Sequence, residues 1–178
     1  MKNRELTALY DVAAFLNSST ATEPLCGIVL DKLSTLIGAC GGVVRLVDAK
    51  GEQMQIVASR EVSKSFLNEE TCLAVGNCLC GAVARDGIAV SSNFSTPLMR
   101  PLLHTCKQEG FQAVVAVPIR SKQHVMGMLN LFFDTPRILP PSEVRLLESV
   151  GQHLGVAIEN QRLVAREKEM AVSEERNL

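Results

Sequence analysis

Residues 113–133 read AVVAVPIRSKQHVMGMLNLFF. This is a pair of apolar, β-branched runs, 113–119 and 124–133, around the polar turn Arg120 to Gln123. Two strand-length runs joined by so short a turn predict an antiparallel pair, and so commit the chain to a sheet. Gly127 weakens the second run and marks a close backbone approach. GVVRLVDAKG predicts a further strand over Val43 to Val47, with a turn at Asp48 to Gly51. MQIVAS returns as its hairpin partner, and IAVSS is a short strand.

The rest of the periodicity is helical. In RELTALYDVAAFLN, Leu6, Leu9, Ala13 and Leu16 recur at steps of three and four, and Asn17, Ser18 and Ser19 end the pattern. Thr22 caps a second helix with Pro24 in its first turn, Leu25, Val29, Leu33 and Leu36 as its stripe, and Gly38 at its close. CGAVARDG, 80–87, predicts about two turns ending at Gly87. From Ser142, Leu147, Val150, Leu154, Ala157 and Val164 give a long helix a heptad-like face. Beyond residue 165 the sequence AREKEMAVSEERNL has little left to bury, and the helix is expected to continue outward. Residues 60–77 and 93–112, the latter with Pro97, Pro101 and Gly110, read as loops. The fold class is α+β, an antiparallel sheet with the N- and C-terminal helices packed on one face. The first and last helices, Leu6 to Leu16 and Leu147 to Val164, are the expected homodimer surface, as a four-helix bundle from two chains.

Several function classes drop out. Lys and Arg total 18 against 19 Asp and Glu, with no Trp and one Tyr, so no footprint for nucleic acid is present. No apolar run approaches the roughly 18 residues of a membrane span, and the N-terminus does not read as a signal peptide. A cytoplasmic location follows, where thiols stay reduced. No phosphate-cradling, metalloprotease or nucleophile-elbow motif occurs. The pairs Glu69-Glu70 and Glu174-Glu175 read as solvated faces, His124 and His153 as surface or satisfied groups, and Cys26 and Cys40 as packing residues.

The remaining four cysteines stand apart. Cys72, Cys78 and Cys80 fall within CLAVGNCLC, and Cys106 follows in the later loop, giving C-x5-C-x-C-x25-C. If both loops cap one sheet edge, four soft thiolates could converge as ligands of an iron–sulfur cluster or of zinc. The C-x-C spacing is tighter than zinc knuckles use and suits a cluster better. A helix starting at Cys78 to Cys80 would present amides that favour thiolates. Redox-active thiols, a catalytic thiol helped by His104, and plain packing are the competing readings.

The stretches CLAVGNCLCGAVARDGIAV, GFQAVVAVPIRSKQHVMGMLNLFF and LLESVGQHLGVAIENQRLV resemble the GAF domains of nitrate/nitrite-sensor type, air- and redox-sensing histidine kinases. The resemblance covers roughly residues 5–165. It implies a GAF sensor domain over 1–165 and, over 166–178, the start of a signalling helix leading to a kinase module that this sequence does not contain. It also implies a sensor role without catalysis by this segment, and an oxygen-sensitive cluster on Cys72, Cys78, Cys80 and Cys106. The signature of cyclic-nucleotide-binding relatives is missing. Two alternatives accompany the resemblance. One is a small anion such as nitrate, held without metal near Arg100, Ser91 and Ser92. The other is a GAF-fold free methionine-R-sulfoxide reductase using Cys80 and Cys106. Against it, Gln112-Ala113-Val114 and Leu129-Asn130-Leu131 lack the acids that would hold the substrate amine.

Overall fold

The computed structural model describes residues 2–16, 21–95, 104–122 and 124–178. The expectations placed on Asn17, Ser18, Ser19, Pro97, Arg100, Pro101, Gln123 and the side chains of Leu9 and His104 lie outside the described residues. Among those described, six strands form one sheet: β1 Gly41–Val47, β2 Gln53–Arg60, β3 Cys72–Ala74, β4 Val90–Asn93, β5 Ala113–Ser121 and β6 His124–Phe133. Their order is β3-β2-β1-β6-β5-β4, and every pairing is antiparallel. The predicted hairpin is β5–β6, with Lys122 of its turn at φ 53°.

The helices are α1 Lys2–Leu16, α2 Thr22–Ile37, α3 Lys64–Glu70, α4 Cys78–Asp86, α5 His104–Gln108 and α6 Pro141–Arg176. α2 closes as expected, with Gly38 left-handed at φ 77° and its amide on the Ser34 carbonyl. Its cap is Ala21 rather than Thr22, whose hydroxyl instead donates to Gln161 Oε1 on α6. α6 opens with Pro141 at its first position, where a missing N–H costs nothing, so Ser142 is not its cap.

Both faces of the sheet are covered, and this is why its central strands are apolar without alternation. On one face Val44, Leu46, Leu129, Leu131, Val115, Val117 and Ile119 pack with α2 and α6 and with Val12 of α1. Leu147, Val150, Leu154 and Ile158 of α6 all belong to this core. The α6 stripe expected to serve dimerisation therefore lies mostly on its own sheet, and Val164 stands apart from it, 49% exposed. Gly155 permits the close approach: a Cβ there would lie 1.9 Å from the Arg120 carbonyl oxygen of β5.

The other face carries Val43, Phe132 and Val114 under Phe66 of α3, Leu79 of α4 and Cys106 of α5. Here the sequence reading misses structure. Residues 60–77 hold α3 and β3 rather than a loop, and α5 lies within 93–112. α3 is only 7 residues long, too short to display a helical period, and is fixed by Ser63, whose hydroxyl accepts the Phe66 amide. Phe66 then packs edge-on against Phe111 and Phe132, which stack on each other at 4.5 Å.

Candidate functional site

The chemistry gathers on the face covered by α3, α4 and α5. The link from β3 turns at Gly76, φ 94°, and enters α4 through Cys78, which is held left-handed at φ 60°. A side chain at such a φ costs roughly 1–2 kcal/mol, and residues held this way concentrate at functional sites. The turn is closed by the Gly76 amide on the Gly81 carbonyl at 2.9 Å. Gly81 must be glycine, because a Cβ would stand 2.8 Å from both the Ala74 oxygen and the Gly76 nitrogen.

α4 has no side-chain cap from Asn77. The Cys78 sulfur takes that place instead and accepts a hydrogen bond from Cys80 together with the Cys80 and Leu79 amides. The Cys80 bond is the largest influence, and burial opposes it. The net result holds the Cys78 thiol down at about 6. Cys80 is displaced the other way: as donor to Cys78 and fully buried, it keeps its proton. Asn130 of β6, buried in mid-sheet, donates its Nδ2 to Cys80 Sγ at 2.7 Å. The chain of donors therefore runs Asn130 to Cys80 to Cys78, and each bond favours negative charge on Cys78. Cys106 of α5 is buried in the same cluster that Cys78 packs against. Burial first, and then the charge on Cys78, push it up to about 12.

The structure therefore brings Cys78, Cys80 and Cys106 to one side of the sheet. Cys72 stands outside, exposed on β3, with its thiol on Gln53 Oε1 at 3.2 Å. None of the six cysteines is in a disulfide. Among the described residues, no group of three or more His, Cys, Asp or Glu is arranged to hold a metal ion. Cys26 is buried in α2, and Cys40 donates to the Phe132 carbonyl, so both are packing residues as expected. Ser91 Oγ accepts the Leu139 amide and Ser92 Oγ bonds the Asn93 carbonyl, so both hydroxyls expected near an anion are engaged.

Three residues of this site have no functional role in the sequence analysis. Arg45 of β1 is 1% exposed, and its Nη2 pairs with Glu70 of α3 at 3.0 Å. Glu70 is 19% exposed, not part of a solvated face. Arg45 lies close enough to Cys80 and Cys106 to favour their ionisation against burial. The third is Asn130, noted in the sequence only as the place of a missing acid. The available signal was a single polar residue inside each apolar strand, VVRLV and MLNLF.

Comparison with known proteins assigns the architecture. The family model described as GAF domain matches residues 20–159, and the chain belongs to that family. Among curated proteins it is similar to the sensor histidine kinase YhcY of Bacillus subtilis, 24% identical over 177 residues, covering 97% of this chain and 47% of the relative. It is similar also to the Nif-specific regulatory protein of Herbaspirillum seropedicae, 26% identical, covering 99% of this chain and 33% of the relative. The chain thus spans less than half the length of these relatives. The GAF domain of an Acinetobacter phosphoenolpyruvate-protein phosphotransferase has the same fold, with a TM-score of 0.77 at 18% identity over 93% of this chain and 99% of that one. So does free methionine-R-sulfoxide reductase from Neisseria meningitidis, with 0.75 at 14% identity over 90% and 91%.

Proposed function

We propose that this chain is the signal-sensing GAF domain of a larger cytoplasmic regulator of the sensor histidine kinase type, and that its stimulus is redox in nature. The observation that carries the reading is the Cys78–Cys80 pair. A thiol held near 6 at a helix start, half-buried beside a protonated partner and a third buried thiol, is arranged for reaction with oxidants. Oxidation by a hydroperoxide would turn the Cys78 thiolate into a sulfenic acid and release the reduced alcohol or water. Attack by the Cys80 or Cys106 thiol then expels water and leaves a disulfide. Residues 112–114 and 129–131 carry no acid that could hold a substrate amine, which favours sensing over sulfoxide reduction.

The iron–sulfur or zinc reading on Cys72, Cys78, Cys80 and Cys106 is the metal-loaded counterpart of this site. Three of its ligands stand on one side of the sheet, and Cys72 would have to leave Gln53 to join them. No helix among the described residues is long and apolar enough to cross a membrane. For partners we propose a second copy and a downstream kinase module reached through 166–178. Leu6 and Tyr10 of α1 and Val156, Leu163 and Met170 of α6 are exposed, and the last three are spaced by seven. A groove between α1 and α6, lined by Leu6, Tyr10, Ala13 and His153, continues that surface.

The test is anaerobic purification, with visible absorption and iron, sulfide and zinc content, followed by peroxide treatment and mass mapping of disulfides. A colourless protein that forms a bond from Cys78 to Cys80 or Cys106 supports thiol sensing. Stoichiometric iron and sulfide would replace it with the cluster. A protein inert to peroxide and free of metal would overturn both.

A further inference from the structure

Arg120 of β5 touches elements on both faces of the sheet. Val117 and Ile119 of this strand lie in the core with α6, and Ala116 packs with Val83 and Ala84 of α4 on the other side. The Arg120 side chain follows the second set. Its Nη2 donates to the carbonyl of Gly87, the left-handed residue that ends α4, at 2.6 Å. A Cβ on Gly87 would stand 1.9 Å from that nitrogen, so the bond needs glycine there for space as well as for its φ of 66°. Nε of the same guanidinium is buried without a partner among the described residues, which makes loss of the Gly87 bond costly. The Arg120 backbone, by contrast, meets α6. Its carbonyl lies under Gly155, and a Cβ on Gly151, one turn earlier, would stand 2.4 Å from the Pro118 oxygen. One turn later Glu159 accepts the Ser121 hydroxyl. Three successive turns of α6 thus rest on residues 118–121. The ladder slips at the same point: Ile119 lies opposite Gly127 but Arg120 opposite Val125. A bulge of this kind interrupts the pairing that otherwise pins a strand.

We propose that Arg120 couples the two sides, carrying a change in the first turn of α4 through its side chain and the bulge to the seat of α6. This rests on the reading that Cys78 is the reacting thiol. In the reduced chain the Cys78 sulfur caps α4 by accepting the Leu79 and Cys80 amides. A disulfide to Cys106 or Cys80 takes the charge from that sulfur and weakens the cap. α4 has 9 residues and is roughly 13 Å long, too short to absorb a shift at one end before it reaches the other. The Gly87 carbonyl then moves, and the guanidinium either follows it or loses its partner. In both cases β5 shifts at the bulge beneath Gly155, where α6 has no side chain to cushion the contact.

Hydrogen exchange of α6, read by mass spectrometry on the reduced and the peroxide-oxidised chain, tests the link, with disulfides mapped on the same samples. Oxidation should change the exchange rate of amides 156–166 about fivefold or more. Arg120→Met, which keeps an unbranched stem and loses the donor, should remove most of that change while the disulfide still forms. Arg120→Lys, which can still donate to Gly87, should restore it. A second arm needs no oxidation. Coupling is reciprocal, so Ser121→Ala, which frees Glu159 on the α6 side, should shift the pH midpoint of Cys78 labelling by about half a unit or more. The shift should vanish in the Arg120→Met background, and Ser121→Ala alone carries the test if that background does not fold. Failure to form the disulfide would count against the thiol reading and leave this second arm to decide. A disulfide with no change in α6, an undiminished change in Arg120→Met, or a Ser121→Ala shift that is absent or equal in both backgrounds would each overturn the link.

Discussion

The charge on Cys78 can be read from its reactivity as a function of pH. Its thiol is held at about 6 against an ordinary 9.0, chiefly by the hydrogen bond from Cys80. At pH 5 a thiol with that value is ionised to about one part in ten, an ordinary one to about one in ten thousand. The thousandfold gain is reduced by the weaker nucleophilicity of a stabilised thiolate. With a Brønsted slope of about 0.4–0.5, three units cost about 20–30-fold. Attack on a small disulfide reagent should therefore be about 30-fold or more faster at pH 5 than for an ordinary thiol of equal access. At pH 9 the order reverses, because the ordinary thiol is then half ionised and the intrinsic penalty on Cys78 remains. The assay is site-resolved mass spectrometry of labelling rate from pH 4 to pH 10. We expect a rise centred near 6 and a plateau above about 7. Cys80→Ala removes the strongest influence but leaves the backbone amides. Its midpoint should move up by about one unit or more. A native midpoint above 8, or a Cys80→Ala profile superimposable on the native one, would refute the donor chain from Asn130.

The same thiols make stability depend on pH. Cys78, depressed in the fold, contributes stability present above its unfolded value near 9 and lost as pH falls through about 6, so Cys78→Ser should flatten a rise in Tm between pH 6 and pH 9. Cys26 and Cys106, both raised to about 12, act oppositely: their contribution is intact below 9 and falls away as pH rises toward 12, to be followed by thermal denaturation of Cys26→Ala against the native chain. Gly155→Ala should cost about 3 kcal/mol in urea denaturation, since its Cβ would overlap the Arg120 backbone and push α6 off β5. Leu163→Glu with Met170→Glu should give a folded monomer by light scattering if α6 pairs with a second copy. Leu154→Glu should instead unfold the chain, because Leu154 is fully buried under its own sheet.

The elements that sequence analysis finds are those long enough to repeat their own signal. α1, α2, α6 and the β5–β6 hairpin each hold several periods, and the structure has them within a few residues of expectation. The elements it misses are set by contacts from elsewhere in the chain. α3 forms because Ser63 caps it and Phe66 has Phe111 and Phe132 to lie against, residues that come more than 40 positions later. The cysteine spacing was visible, but not its geometry. Cys72 and Cys78 are near in sequence, yet β3 turns the first thiol to Gln53 on the outside of the sheet. The long-helix stripe misled for a related reason. A heptad-like spacing says only that one face is apolar, and a sheet can cover that face as well as a second helix can.

Arg45 and Asn130 show how this sheet can serve as more than a support. β1 and β6 are its two middle strands, apolar on one face toward α2 and α6 and interrupted on the other by these two polar groups. A change at Cys80 reaches Asn130 directly through their hydrogen bond. Asn130 stands between Leu129 and Leu131, which belong to the same core as Leu147, Val150 and Leu154 of α6. A close-packed interior passes such a displacement on rather than absorbing it. α6 then extends past the core to Arg176 as one unbroken helix, so a small tilt at Leu154 becomes a larger excursion at its far end. The thiols and α6 lie on opposite faces of the sheet. A single strand, β6, joins the two sides: Asn130 bonds Cys80 on one, and Leu129 and Leu131 pack in the α6 core on the other.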